Sequence, residues 1–200
     1  MTDARTEILA RVRQALADVA PAARPEDAPA PREITRDVID LFAERVADYR
    51  AVVERCPAAD LEQRIADALP PGEVVVPAGL SIRVPGAVVD DGTLTAAELD
   101  RIAAVVTEAR VGIAETGTIV LDHAPDQGRR AISLVPDTHI CVVREDQVVA
   151  DVPDALAVLD PARPQTWISG PSATSDIELD RVEGVHGPRT LHVLVIATDR

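Results

Sequence analysis

The sequence predicts an α/β domain: a largely parallel sheet with a mixed portion, covered by helices, behind a separate N-terminal helix. Three observations lead there. Short runs such as Val193-Leu194-Val195-Ile196 and Ile140-Cys141-Val142-Val143 are apolar on both faces, as strands are when layers cover both sides of a sheet. Segments with helical spacing alternate with these runs. Between Ile113 and Ala150 the strand-like runs lie too close together for helical crossovers, which marks the mixed portion.

In chain order, residues 3–20 read as a helix with Leu9, Val12, Leu16 and Val19 on one stripe. Pro21, Pro25, Pro29 and Pro31 then impose an extended, semi-rigid linker, so residues 1–33 form an appendage to a domain spanning 34–200. The apolar stripe needs cover, from its own domain or from a partner; a homodimer through this helix is one expectation. Thr35 is placed to cap a helix running to about Val53, with Ile34 and Ile39 as a hydrophobic staple. Leu61, Ile65 and Leu69 mark the next helix. Thr95 and Glu98 form a capping box for a helix expected from Ala96 to about Arg110. Pro153 suits the start of a short helix through Leu159. Strands are expected at Val74–Val76, Ala87–Val89, Ile113–Leu121 (broken by a turn), Ala131–Val135, Ile140–Val143, Val148–Ala150, Thr166–Ile168 and Leu191–Ile196.

Composition narrows the functions. The 200 residues carry a formal charge of −14 and only three aromatics, Phe42, Tyr49 and Trp167. Phosphate backbones would be repelled and bases would lack stacking platforms, so nucleic acid is not an expected partner. All twenty basic residues are Arg. That removes Schiff-base lysines and the lysine-bearing phosphate loop. The two cysteines, Cys56 and Cys141, fall short of the four thiolates an iron–sulfur cluster usually takes. His123 and His139 are scattered, and Asp122-His123 with Asp126 is too thin for a metal site, so none is expected. The N-terminus is charged and amphipathic rather than a signal peptide or membrane span, so a cytoplasmic protein is expected.

Two polar segments interrupt the apolar runs, where a chain places ligand-facing turns. In Gly112-Ile113-Ala114-Glu115-Thr116-Gly117-Thr118, Gly117 can take positive φ, bringing backbone and the Thr116 and Thr118 hydroxyls close to a ligand. Glu115 then reads as a ligand-orienting or nucleophilic carboxylate, or as a solvated turn residue. The second segment is Ser169-Gly170-Pro171-Ser172-Ala173-Thr174-Ser175-Asp176-Ile177-Glu178, followed by Gly184-Val185-His186-Gly187-Pro188-Arg189. It lacks the final Gly of a nucleophile elbow, and Pro171 fits that strained turn poorly, so Ser172 reads as a ligand contact through hydroxyl and backbone rather than a hydrolase serine. Ser175 and Glu178 form a capping box for a short helix that Gly184 would end, which leaves Asp176 freer to face a ligand. His186 can exchange a proton near neutral pH, and Gly187 and Pro188 fix the loop. Arg189 offers a fork for a carboxylate or phosphate; an ion pair is the plain alternative. His192, at the start of a buried strand, reads as orienting a neighbour.

Together these segments resemble the lactate-utilisation protein C family, the LUD domain, in wording, order and spacing over roughly residues 75–197, and the N-terminal helix is similar too. The resemblance implies a three-layer α/β/α domain like the superfamily of sugar-phosphate isomerases, CoA transferases and formyltetrahydrofolate cyclo-ligases. It also implies a role in bacterial oxidation of L-lactate to pyruvate beside two cysteine-rich or iron–sulfur partner proteins. Clusters are then expected in the partners and no cofactor in this chain. Where the family commonly has a basic residue after the Gly-Pro-Ser serine, this chain has Ala173, so no anion contact carries over there.

Three functions follow. The first is a non-redox subunit of a lactate-oxidising system that binds a small carboxylate or assembles partners, with Glu115 and His186 as candidate catalytic groups. The binding set is Thr116, Gly117, Thr118, Gly170, Ser172, Ser175, Asp176, Gly187 and Arg189. The second is an autonomous acyl- or CoA-transferase-like or cyclo-ligase-like enzyme using Glu115 as acyl acceptor. The third is a metabolite-binding regulatory module.

Overall fold

A computed structural model describes residues 4–19, 36–171 and 187–198. The chain divides into two units, Met1–Ala30 and Pro31–Arg200. In the first, helix α1 covers Ala4–Ala15, a turn shorter than its apolar stripe. Ile8, Leu9, Val12, Leu16 and Val19 are all exposed.

The second unit is built on a six-stranded, fully parallel sheet. Its strands are β1 (Val52–Cys56), β2 (Val74–Pro77), β3 (Val88–Asp90), β4 (Ala104–Glu108), β7 (Thr138–Arg144) and β10 (Thr190–Ile196). They lie in the order β1-β10-β7-β4-β2-β3. A second sheet, β8-β5-β6-β9, is mixed: β5 (Val111–Ile113) and β6 (Thr118–Leu121) form an antiparallel hairpin, β9 (Thr166–Ile168) extends it antiparallel, and β8 (Val148–Val149) runs parallel to β5. The closely spaced runs between 113 and 150 therefore divide between the sheets, with β7 in the large one.

Alternation of side chains explains the layers. On one face of the large sheet, Val106, Ile140, Val142, Leu194 and Ile196 pack on Leu61 and Ile65 of helix α3 (Leu61–Ala68). On the other face, Cys141, Val143, Leu191, Val193 and Val195 meet Ile119 and Leu121 of the small sheet. Leu41, Phe42 and Val46 of helix α2 (Val38–Asp48) join the same cluster. Toward β2, the core continues through Val75, Leu99, Val105 and Ile132 beneath helices α4 (Ala96–Leu99) and α5 (Arg130–Leu134). The outer face of the small sheet packs Val111, Ile113 and Val120 against Ala155 and Leu159, on and just after helix α6 (Val152–Val158). The small sheet is thus a buried layer in its own right.

Four expectations are corrected. The helix expected to reach Val53 ends at Asp48, and the residues beyond form β1 after Arg50 turns into the left-handed region at φ 67°. Asp37 caps this helix, accepting from the Ile39 and Asp40 N–H groups; Thr35 and Ile34 lie outside the described residues. The helix expected over Ala96–Arg110 stops at Leu99, although the Thr95–Glu98 capping box forms as expected. Its continuation becomes β4, whose Ala104, Val105, Val106 and Thr107 are buried on both faces. There β-branched residues and tertiary burial overrode a helical spacing. Lastly, of Ala131–Val135, expected as a strand, residues 131–134 belong to α5 and Val135 caps its end.

One buried polar cluster sits within the large sheet. His139 Nε2 and the Thr107 hydroxyl share a hydrogen bond of 2.8 Å, and Thr107 also lies beside Cys141 Sγ. Burial lowers the His139 pKa from 6.5 to about 4 and pushes the Cys141 thiol up to about 12. The fold therefore favours neutral imidazole. Its contribution is fully present above pH 6.5 and is lost as pH falls toward 4; at roughly 1.4 kcal/mol per pKa unit it amounts to about 3 kcal/mol. Denaturant unfolding between pH 7 and 4 should show this loss. A His139→Leu/Thr107→Val double variant, which removes both partners, should flatten the dependence by that amount, and an unchanged slope would exclude His139 as its source.

Candidate functional site

The small sheet brings the first polar segment to the amino edge of the large one. β5 leaves the carboxyl end of β4 and runs back across the sheet. The turn after it lies beside the last turn of α2, just before β1 begins. Gly117 has φ 59°, and a Cβ there would fall 2.5 Å from the Arg45 carbonyl carbon. Only a glycine allows both this backbone conformation and this approach. Glu115 N–H donates to the Ala150 carbonyl at 3.0 Å, which fixes the carboxylate-bearing residue to the segment after β8.

The second segment arrives at the same place. β9 pairs with β6 in a register that sets Ile168 opposite Ile119, so Ser169 follows beside Thr118. Their hydroxyls share a hydrogen bond of 2.8 Å, and Thr118 shares another of 2.7 Å with Thr116. The next residue, Gly170, has φ 83°, and a Cβ there would sit 2.7 Å from the Tyr49 Cβ. Both glycines therefore lean on one stretch of backbone, Arg45 to Tyr49.

The return of the chain closes the group. Gly187 has φ 150°, and a Cβ there would be 3.8 Å from the Pro171 carbonyl oxygen. Gly187, Pro188 and Arg189 lead into the first residue of β10, at the same amino edge. Arg189 pairs with Asp137 at 3.4 Å, with both side chains about two-thirds exposed (66% and 64%). At that exposure the pair contributes little stability, and its fork can turn to a ligand anion.

Of the candidate residues, the structure brings together Glu115, Thr116, Gly117, Thr118, Gly170, Gly187 and Arg189 along this edge. Ser172, Ser175, Asp176 and His186 lie outside the described residues, as do Glu178 and Gly184 of the expected capped helix. His192 is a neighbour-orienting residue: its Nε2 lies 3.1 Å from Glu54 Oε1 across β1 and β10. Sequence reasoning left out two contributors, the bridging Ser169 hydroxyl and the α2 end that supports both turns. The position of Ser169 directly before Gly170 was the available signal for the first. Among the described residues, no group of three or more His, Cys, Asp or Glu side chains could hold a metal ion.

A family model for the LUD domain matches residues 36–196, the span that carries the sheets and both polar segments. The chain belongs to the LUD domain family. Its relatives include Lactate utilization protein C of Deinococcus radiodurans, 48% identical over 206 residues that cover 97% of this chain and 96% of that one. Lactate utilization protein C of Bacillus subtilis is 36% identical over 99 residues, 45% of this chain and 41% of that protein. The crystal structure of a DUF162 family protein from Deinococcus radiodurans superposes with a TM-score of 0.68 at 45% identity, covering 80% of this chain and 96% of the other.

For this LUD domain, Gly117→Ala is expected to lower stability by about 2 kcal/mol or more, because the methyl group meets main chain and the residue is held at positive φ. Urea unfolding measures it. A midpoint equal to that of the unchanged protein would contradict the close contact.

Proposed function

We propose that this chain is a subunit of a lactate-utilisation system that carries no redox centre itself. It binds a small carboxylate at the paired polar turns and assembles with cysteine-rich or iron–sulfur partner proteins. Identity of 48% with a Lactate utilization protein C over 97% of the chain carries this reading. The hydroxyl link between Thr118 and Ser169 supports the ligand site, since it joins two polar segments far apart in sequence.

In this reading Arg189 takes the carboxylate in place of Asp137, the Thr116, Thr118 and Ser169 hydroxyls hold its oxygens or its substituent, and Glu115 orients the polar group next to it. Iron–sulfur clusters reside in the partners. The chemistry of the two thiols supports that division: both Cys56 and Cys141 are buried, and burial raises the pKa of each, against the thiolate form a cluster needs. No described helix is long and apolar enough to cross a membrane.

Deleting the gene should abolish growth on L-lactate as sole carbon source, and a plasmid copy should restore it. Normal growth of the deletion strain would contradict the physiological role. Ligand binding can be read from Trp167, which is 40% exposed two residues before Ser169. Arg189→Ala should weaken L-lactate or pyruvate binding by about ten- to a hundredfold, as loss of one charge-assisted contact does. An unchanged affinity would remove Arg189 from the site. Acylation of Glu115 by an acyl-CoA, detected as a mass increase absent from Glu115→Gln, would replace this reading with that of an autonomous transferase.

A further inference from the structure

A polar recess lies at the opposite edge of the large sheet, where β4 and β7 end. It is a cleft of about 370 Å³, large enough for a small metabolite. Open parallel sheets commonly bind ligands beyond the carboxyl ends of their strands. Four segments converge there: Ala109-Arg110 after β4, the loop from Asp122 to Gln127 after β6, Arg144 at the end of β7 with Gln147 just beyond it, and Asp160 to Arg163 after α6.

The cleft is lined by Arg110, Arg144 and Arg163 together with Asp122, Asp126 and Asp160. Arg110 and Arg163 both approach Asp122 only loosely, at 3.9 Å and 3.5 Å. Each is instead oriented by a main-chain carbonyl, Arg110 by Val158 at 3.0 Å and Arg163 by Asp122 at 3.1 Å. Two guanidinium groups thus share one carboxylate and keep N–H groups to spare. Asp126 lines the same cleft and, among the described residues, has no ion-pair partner. Its Oδ1 accepts a long hydrogen bond of 3.4 Å from the Gln127 amide. Burial, helped by Glu108 and Asp122, raises its pKa, as for a carboxylate short of a cation.

The loop bearing Asp126 is fixed in place. Gln127 Oε1 accepts from Asp122 N–H at 2.7 Å, and Glu108 N–H donates to the Asp126 carbonyl at 3.2 Å. Gly79 N–H donates to the Pro125 carbonyl at 2.9 Å, and a Cβ on Gly79 would lie 2.5 Å from the Pro125 side chain. His123 holds φ 55° while its Nδ1–H donates to the Gly128 carbonyl at 3.0 Å. A non-glycine residue in that region persists only where its surroundings determine it. The recess is preorganised.

We propose that this cleft binds a small zwitterion, with its carboxylate on Arg110 and Arg163 and its ammonium on Asp126. A ligand that carries both charges can meet the two arginines and Asp126 together, while a simple anion would leave Asp126 without a cation. The inference stands apart from the function proposed above, because it concerns another edge of the sheet and another class of ligand.

The test uses the full chain and three amino acids of increasing charge separation: glycine, β-alanine and γ-aminobutyrate. Each is compared by calorimetry or ligand-observed NMR with its amine-free counterpart: acetate, propionate or butyrate. At least one amino acid should bind tenfold or more tightly than its counterpart. Asp126→Asn, close in size and shape, should erase that difference, and Arg163→Gln should weaken both ligands of the pair. Circular dichroism melts verify that each variant folds. The proposal is overturned if no amino acid exceeds its counterpart, or if the preference survives Asp126→Asn in a folded protein. Preference removed by Glu115→Gln but not by the cleft variants would also overturn it, by placing the ligand at the other edge.

Discussion

The end of α2 is the support on which the candidate site rests. Gly117 and Gly170 come from different strands of the small sheet, yet each brings its backbone against the stretch from Arg45 to Tyr49, where a Cβ would fall within 2.5 to 2.7 Å of it. A contact this close needs a glycine on one side and an immobile partner on the other. Phe42 and Val46, fully buried in the core cluster shared by both sheets, hold α2 there. The geometry of the site is thus inherited from core packing, one layer below the groups that face a ligand.

The same arrangement explains why polar chemistry collects at both edges of the large sheet. A parallel sheet alone would offer mainly its carboxyl edge. Here the hairpin β5–β6 lies across one face, begins beside the carboxyl end of β4 and turns at the amino edge, so the intervening layer presents loops in both directions. Pairing with β9 and β8 fixes the register of the hairpin, and with it the meeting of Thr118 and Ser169. The LUD domain match spans the amino-edge turns and the carboxyl-edge cleft alike.

Much of this was legible in the sequence, for identifiable reasons. Strands apolar on both faces, such as β7 and β10, can be read without knowing their neighbours, and so can the Thr95–Glu98 box and the need for positive φ at Gly117. β4 misled because Leu99, Ile102, Ala103 and Val106 fall at helical spacing behind a true capping box, whereas burial on both faces decides the outcome. β1 misled because Val52 and Val53 follow an amphipathic helix with no Gly or Pro between; Arg50 makes the break by taking an unfavourable conformation that no local pattern announces. The short apolar run at Ala131–Val135 fits strand or helix equally well. What supports the turns was not legible at all, since Arg45 and Tyr49 meet the glycines only through tertiary packing. That Asp126 and the two arginines line one cleft is likewise a property of the assembled loops.

The central claim is that two polar segments, distant in sequence, form a single binding site at the amino edge. A crystal structure of the full chain grown with L-lactate tests it most directly. The account predicts electron density for the carboxylate within hydrogen-bond reach of both the Glu115–Thr118 turn and the Ser169–Gly170 or Gly187–Arg189 backbone. Lactate bound elsewhere on the molecule, or touching one segment while the other faces away from it, would contradict the account.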